Sequence, residues 1–197
     1  GDGDGAMRAS GYERNDDDWY QEPEWVTDAL LAVERPFVGR VMDPCCGAGN
    51  IVRRLWHNDL FASGTDIVER AVWVEEISFD RALKRGKPTS VISNPPYDQA
   101  QDFIETALKF TQDRVCVLLR LAFLEGMRRY EWFQSAPLAR VWVFSRRVSM
   151  PPGGKEIPAK SGSIAYAWFV FEKGHRGPPQ IGWLDPAFGD RKREVAA

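Results

Sequence analysis

The sequence predicts an α/β domain built on a doubly wound, mostly parallel sheet with an antiparallel last strand, the Rossmann-like arrangement. Three observations predict it. After Pro36, short strand-like blocks alternate with helix-period blocks; "RVCVLLRLAF" is apolar at nearly every position, as a strand covered on both faces must be; and no helix separates the last two strand-like blocks.

Taken in order, residues 1–18, with "GDGDGAM" and the acidic "NDDD", read as a tag or disordered leader, and the domain is expected over 19–174. "EPEWVTDALLAVER" sets Trp25, Val26, Ala29, Leu30 and Val33 at helical spacing, with Pro23 near the start, where a missing N–H does no harm. "RVMD" (40–43) is a strand, "GNIVRRLWHND" (49–59) a helix, "FASGTDI" (61–67) a strand, and "ERAVWVEE" (69–76) a short helix. "SVISN" (90–94) is a strand and "DQAQDFIETALKFTQ" (98–112) a helix. The apolar strand at 114–123 is followed by a helix in "LEGMRRYEWFQ" and by strands at 140–145 and 163–173. The last two pair across a Pro/Gly-rich loop, 149–162, long enough to face a substrate. Residues 175–197 read as an extended tail.

Composition narrows the function. A chain of 197 residues supports one sizeable core. No stretch approaches the roughly 18 apolar residues of a membrane helix, and no basic-then-apolar signal opens the chain, so a cytoplasmic protein without a membrane partner is expected. With 26 Lys and Arg against 28 Asp and Glu, a nucleic acid has to be met by a local basic face and not by net charge. Three cysteines and two histidines form neither a disulfide framework nor a zinc pattern, and no metal is expected.

Three stretches carry chemistry. "DPCCGAGN" (43–50) lies where the first strand meets a helix; Gly47 and Gly49 permit a tight turn and a close backbone approach, and the helix N-terminus suits a polar or anionic group. Asp66, 23 positions after Asp43, ends the next strand, where an acidic side chain reaches both hydroxyls of a ribose. Alone, it reads more readily as a helix N-cap; together with the Gly turn, the ribose reading is the better one. The third glycine of G-x-G-x-x-G is missing, which argues against a dinucleotide. "NPPY" (94–97) then follows the strand that topology makes the fourth, beside the switch point. Its two prolines hold an extended backbone that turns the Pro95 carbonyl outward, and Asn94 adds a second acceptor. Two convergent acceptors suit an –NH2 on a planar ring, with Tyr97 as a stacking face.

In this order, "DPCCGAG", Asp66 and "NPPY" resemble the S-adenosylmethionine-dependent DNA adenine-N6 methyltransferases, whose motif I runs D-P-x-C-G-x-G and whose catalytic motif is [DNS]-P-P-[YFW]. The similarity spans about residues 19–173. It implies a class I methyltransferase fold, S-adenosyl-L-methionine as cofactor, and Asn94, Pro95, Pro96 and Tyr97 as catalytic residues. It places Asp43, Pro44, Cys45, Gly47 and Gly49 around the methionine moiety, Asp66 on the ribose, Ile67 on the cofactor adenine and Asp80 at its amino group, with Asn94 also bordering the cofactor. "WYQEPEWV" resembles the family's Y-x-T-P motif: Tyr20 and Pro23 match as cofactor contacts, and Glu22 stands where the family has threonine. Repulsion from the cofactor carboxylate is expected to turn Glu22 away or to leave only a backbone contact.

The implied reaction needs no covalent intermediate, and the motifs contain no conventional strong base. Bonds from the adenine NH2 to Asn94 and the Pro95 carbonyl push electron density onto nitrogen, which attacks the sulfonium methyl. In a duplex the base has to be flipped out, with Tyr97 against its ring. Arg120, Arg146, Arg147 and Lys155 are candidate substrate contacts on one rim, and Phe144 or Met150 are candidates to hold the base. Family members with defined specificity carry a separate recognition region that has no counterpart here. The expectation is therefore DNA, duplex or single-stranded, read with short or relaxed specificity or with help from a homodimer or recognition subunit, in a restriction-modification or phage setting. The same "NPPY" chemistry also serves RNA and protein-glutamine amino groups, and a non-catalytic subunit with this fold stays open.

Overall fold

A computed structural model describes residues 19–151 and 164–193. Eight strands form one sheet: β1 (Val41–Asp43), β2 (Ala62–Asp66), β3 (Glu75–Glu76), β4 (Ser90–Ser93), β5 (Arg114–Arg120), β6 (Leu138–Phe144), β7 (Tyr166–Glu172) and β8 (Gln180–Leu184). Their order is β3-β2-β1-β4-β5-β7-β6-β8. Every neighbouring pair is parallel except those made by β7, which runs antiparallel to both β5 and β6. The doubly wound, mostly parallel sheet with its antiparallel strand is as the sequence predicts. The chain moves outward from β1 through β2 to β3, then returns to place β4 on the other flank of β1, so the switch point lies between β1 and β4.

Five helices cover the sheet: α1 (Trp25–Val33), α2 (Asn50–His57), α3 (Phe79–Gly86), α4 (Ala100–Phe110) and α5 (Met127–Ser135). Val26, Ala29 and Leu30 of α1 and Ile51 and Leu55 of α2 pack on one face with Cys116, Leu118, Trp168 and Val170. Ala82 and Leu83 of α3 and Phe103, Ile104 and Ala107 of α4 pack on the other with Val115, Val117, Leu119, Phe169 and Phe171. Strands β5 and β7 thus send alternate residues into two cores, which is why their sequences are apolar without a gap. Trp168 is fully buried, and its indole N–H donates to the Val26 carbonyl at 2.8 Å, tying α1 to the centre of the sheet.

Two segments differ from the sequence-based expectation. Residues 69–76 do not form a helix: a turn leads to Glu75–Glu76, which pairs with Thr65–Asp66 as a charged edge strand. The open edge of β2 needed backbone partners, and in this segment Val74 is buried while Val72 stays 97% exposed, so its apolar residues do not bury as one helical face. The segment after Gly174 is more than a tail, since β8 extends the sheet beside β6 and a short 3₁₀ segment, Pro186–Arg193, follows it against α1. No helix among the described residues is long and apolar enough to cross a membrane.

At the edge opposite the strand carboxyl ends, Glu34 follows α1 and is buried beneath four donors: Arg140 Nε at 2.7 Å and Nη2 at 2.9 Å, Trp142 Nε1 at 2.8 Å and Arg114 Nη1 at 3.0 Å. Burial would raise its pKa, but these donors outweigh burial and hold the carboxyl below its ordinary value. Arg114 is fully buried and keeps Asp113 at 3.0 Å, but removing the Glu34 charge leaves Arg114 and Arg140 sharing less negative charge than they carry positive. Glu34→Gln is expected to lower the unfolding free energy by about 3–5 kcal/mol in urea titrations, whereas Arg35→Ala, whose guanidinium is half exposed, costs about 1 kcal/mol or less.

Candidate active site

The carboxyl ends of β1, β2 and β4 bring three motifs together. Asp43 closes β1, the turn 44–49 crosses to α2, Asp66 closes β2, and Asn94 directly follows β4. Gly47 and Gly49 both have positive φ, 54° and 90°, which a side chain would strain. They also admit close neighbours: a Cβ on Gly47 would lie 2.5 Å from the Trp19 ring and one on Gly49 2.2 Å from the Trp73 ring. Pro44 is buried within this turn and Cys45 is half-buried.

Three carboxylates converge on the turn. Asp43 is buried, and its Oδ1 accepts from the Cys45 N–H at 3.1 Å and the Ser93 hydroxyl at 2.6 Å. Its Oδ2 is buried without any partner. Asp66 accepts from the Gly47 N–H at 2.7 Å and the Val68 N–H at 3.2 Å, with the Arg70 guanidinium at 4.0 Å. Glu22, 6% exposed, takes the Asn94 Nδ2 at 3.0 Å on its Oε2.

Burial governs the protonation of Asp43 and Glu22. Burial pushes the Asp43 carboxyl well above its ordinary range; the Ser93 bond opposes this, and the Glu22 and Asp66 charges add to it. Burial likewise raises Glu22 to about 7, against the Asn94 bond and the charge of Arg53. The Cys45 and Cys46 thiols are driven upward by burial and by these carboxylates, so neither is a thiolate nucleophile at neutral pH.

The Asn94 amide is anchored on one side. Its Nδ2 donates to Glu22 and, at 3.4 Å, to the Tyr20 carbonyl; two acceptors facing one end of the amide identify that end as NH2. No donor among the described residues engages its Oδ1. Pro96 is extended (φ −53°, ψ 130°), and the turn beyond it closes through the Pro96 carbonyl, which accepts from the Gln99 N–H at 3.1 Å. The half-buried Tyr97 ring stands edge-on to Phe123, and the Arg120 guanidinium lies 4.8 Å from its centroid. The segment Tyr20–Pro23 crosses in front of these groups, and the Asn50 side chain at the start of α2 donates to the Glu22 carbonyl at 2.9 Å. Glu22 is therefore turned into the protein and does not point away, because Asn94 offers its carboxylate a donor.

The remaining predicted residues are more dispersed. Ile67 is 69% exposed beside Asp66, and Asp80 lies exposed in the first turn of α3. Arg120 is part of the site, but Arg146 turns to Asp190 (2.8 Å) and the Pro186 carbonyl (3.0 Å), and Arg147 is exposed just past β6. Phe144 and Met150 are buried in the core on the α1 side, where neither is free to hold a base: Phe144 packs edge-on against Trp25. Lys155 lies outside the described residues. Sequence reasoning missed Ser93 and Asn50, and gave Glu22 the opposite orientation. Polar residues at a strand end and at a helix start, each beside a motif, were the signal. A cleft of about 500 Å³ beside β2, lined by Trp56, Trp73 and Arg85 among others, contains none of the motif residues. Among the described residues no cluster of His, Cys, Asp and Glu is arranged to hold a metal.

No protein-family model and no curated protein matches the sequence. Solved structures match in fold. A protein described as the modification subunit of a type I restriction enzyme from Vibrio vulnificus aligns with a TM-score of 0.58 at 15% identity, over 84% of this chain and 46% of its own, so this chain spans about half its length. One described as an RNA methyltransferase from Pyrococcus horikoshii aligns at 0.51 and 13% identity, over 76% and 80%. The magnesium protoporphyrin IX methyltransferase of Synechocystis, crystallised with S-adenosylmethionine, aligns at 0.50 and 15% identity, over 78% and 79%. The architecture is the Rossmann-like fold of class I methyltransferases.

The raised Glu22 value fixes a stability trend. Folded protein holds this proton more tightly than the unfolded chain, whose value is the ordinary 4.5, so the contribution of Glu22 is most favourable below that value and is lost as pH rises to about 7. Glu22→Gln keeps an acceptor and removes the titration. Thermal unfolding should show the variant more stable than wild type at pH 8, at about 2–4 °C per kcal/mol gained, with the gain gone near pH 4.5.

Proposed function

We propose that this protein transfers a methyl group from S-adenosyl-L-methionine to the exocyclic N6 amino group of adenine in DNA. The observation that carries the reading is the Asn94 amide: its nitrogen is anchored to Glu22 and Tyr20 at the switch point, and its oxygen is left as an acceptor beside a rigid Pro95-Pro96 corner.

The residues present suit the cofactor. A buried Asp43 Oδ2 without a partner, within a cluster of three carboxylates, calls for a donor or a cation from outside the protein. The ammonium and sulfonium of S-adenosylmethionine offer both. Asp43, Pro44, Cys45, Gly47 and Gly49 would surround its methionine part, with Tyr20 and Pro23 in front; Asp66 would take the ribose, and Ile67 and Asp80 the adenine. The exposed Ile67 gains burial in that role. Trp19, which covers Gly47, would move onto the ligand or aside. When bound, the cofactor supplies an activated methyl group.

The chain's own residues then prepare the acceptor. Asn94 Oδ1 and the Pro95 carbonyl receive the two N–H bonds of the adenine amino group, drawing it toward a tetrahedral shape and raising the density on nitrogen. Tyr97 stacks on the flipped base, and the few kcal/mol of lost base stacking are met by that contact and by phosphate pairing. Arg120, above the Tyr97 ring, is the cation best placed for the strand; Arg146, Arg147 and Lys155 are further candidates. Recognition is short or relaxed, or comes from a second subunit or copy of the chain. RNA and protein-glutamine amino groups present the same two N–H donors and form the alternative.

Tritium transfer from labelled S-adenosylmethionine, offered in parallel with duplex DNA, single-stranded DNA, RNA and a protein mixture, tests the reading. Label is expected in DNA, recovered as N6-methyladenine after hydrolysis. Asn94→Ala should cut the rate by roughly 10²–10³-fold while cofactor binding persists. Label in RNA or protein alone overturns the substrate.

A further inference from the structure

The function proposed above uses Asn94 as an acceptor but leaves open what keeps the amide turned that way. Asn94 follows a strand end and is only partly buried, so both faces of its amide are available to partners. If the amide inverted, it would present NH2 to a substrate amine, donor against donor, and the site would be silent.

We infer that Glu22 is the positioning residue for Asn94: its ionised carboxylate fixes the amide with the nitrogen inward, and protonation of Glu22 releases that constraint. The inference rests on the proposed function for its consequence, but not for its geometry.

The geometry is specific. Glu22 Oε2 lies 3.0 Å from Asn94 Nδ2, and the second acceptor, the Tyr20 carbonyl, stands farther off at 3.4 Å. An ionised carboxylate only accepts, so it can pair with the NH2 end of an amide and with nothing at the oxygen end. A carboxylic acid also donates, and an inverted Asn94 would then find a partner in it. The carboxylate's pull on the NH2 protons also polarises the amide and strengthens Oδ1 as an acceptor. Glu22 is held in place through its own backbone, since its carbonyl takes the Asn50 side chain. An aspartate is a methylene shorter, and a threonine, the residue of the family motif, cannot reach with an acceptor-only group.

The charged surroundings make the switch available near neutral pH. From β1, the buried Asp43 is itself pushed up by the Glu22 and Asp66 charges; from β2, Asp66 lies on the same turn with the Arg70 guanidinium at 4.0 Å. From α2, Arg53 attracts it and the Ile51 N–H bonds to it; from β4 the sole contact is Asn94 itself. Burial dominates and brings the value to about 7 in the protein without ligand. A cationic cofactor beside the cluster would favour ionisation and so lock Asn94 as it arrives.

The test separates this coupling from the activity. In ¹⁵N-labelled full-length protein without ligand, the side-chain NH2 pair of Asn94, identified by its loss in Asn94→Ala, is followed by NMR from pH 5.5 to 8.5. The pair is expected to shift with a midpoint near 7 in wild type and to be independent of pH in Glu22→Gln. A pair that does not titrate in wild type, or that still titrates in Glu22→Gln, overturns the inference. In methyl-transfer assays the wild-type kcat should fall as the pH is lowered, Glu22→Gln should lose that acid limb, and Glu22→Ala should lose about 10²-fold in kcat with a smaller change in cofactor KM. An acid limb that persists in Glu22→Gln also overturns it. If wild type labels no substrate yet the Asn94 pair titrates through Glu22, the proposed function fails and the coupling stands.

Discussion

Carboxyl groups with few partners, buried where the sheet changes direction, are the constraint around which this end of the molecule is organised. Glu22, Asp43 and Asp66 meet at the turn after β1, and the available compensation is meagre: one hydroxyl, a few backbone N–H groups, an amide, and two arginines at a distance. Buried carboxylates arranged for stability alone are normally satisfied by hydrogen bonds and paired charges. Asp43 keeps one oxygen buried and without a partner among the described residues.

The segment that enters the fold at Trp19 shows how the pieces are tied. Its Tyr20 and Glu22 touch Asn94 at the end of β4, and its Glu22 carbonyl takes Asn50 at the start of α2. The Gln21 N–H also donates to the Pro151 carbonyl, which links this segment to the start of the long loop after β6. A stretch with little secondary structure thereby holds the Gly-rich turn and the "NPPY" corner in one frame. Motifs separated by about fifty residues are held against one another because a third segment lies across them.

Much of this was legible in the sequence, and the limits have physical causes. The apolar continuity of "RVCVLLR" and "YAWFVFE" announced buried strands because both cores draw on them. The glycines and prolines of "DPCCGAGN" and "NPPY" marked their turns because few other residues adopt those backbones. Residues 69–76 deceived because their apolar content suits a helix, while the unpaired edge of β2 decided their state. The helix over 79–86 carried its spacing openly in Phe79, Ala82 and Leu83, yet only Asp80 drew attention, as a cofactor contact. The inward turn of Glu22 was beyond sequence reasoning, since it depends on an amide supplied 72 positions later.

Comparison of two glutamates separates support from chemistry. Glu34 and Glu22 flank the same helix, α1, and both carboxylates are buried. Glu34 receives four donors from two arginines and a tryptophan and is held ionised below its ordinary value; Glu22 receives an amide and weaker help from Arg53 and the backbone, burial prevails, and it is raised. Since burial acts on both in the same direction, the difference in sign comes from the partners that the fold provides at each edge of the sheet. At the amino edge of β5 the charges are matched and the group is structural. At the carboxyl edge they are left unmatched, which costs stability that a well-paired site would not lose, and perturbed groups of this kind concentrate at functional sites.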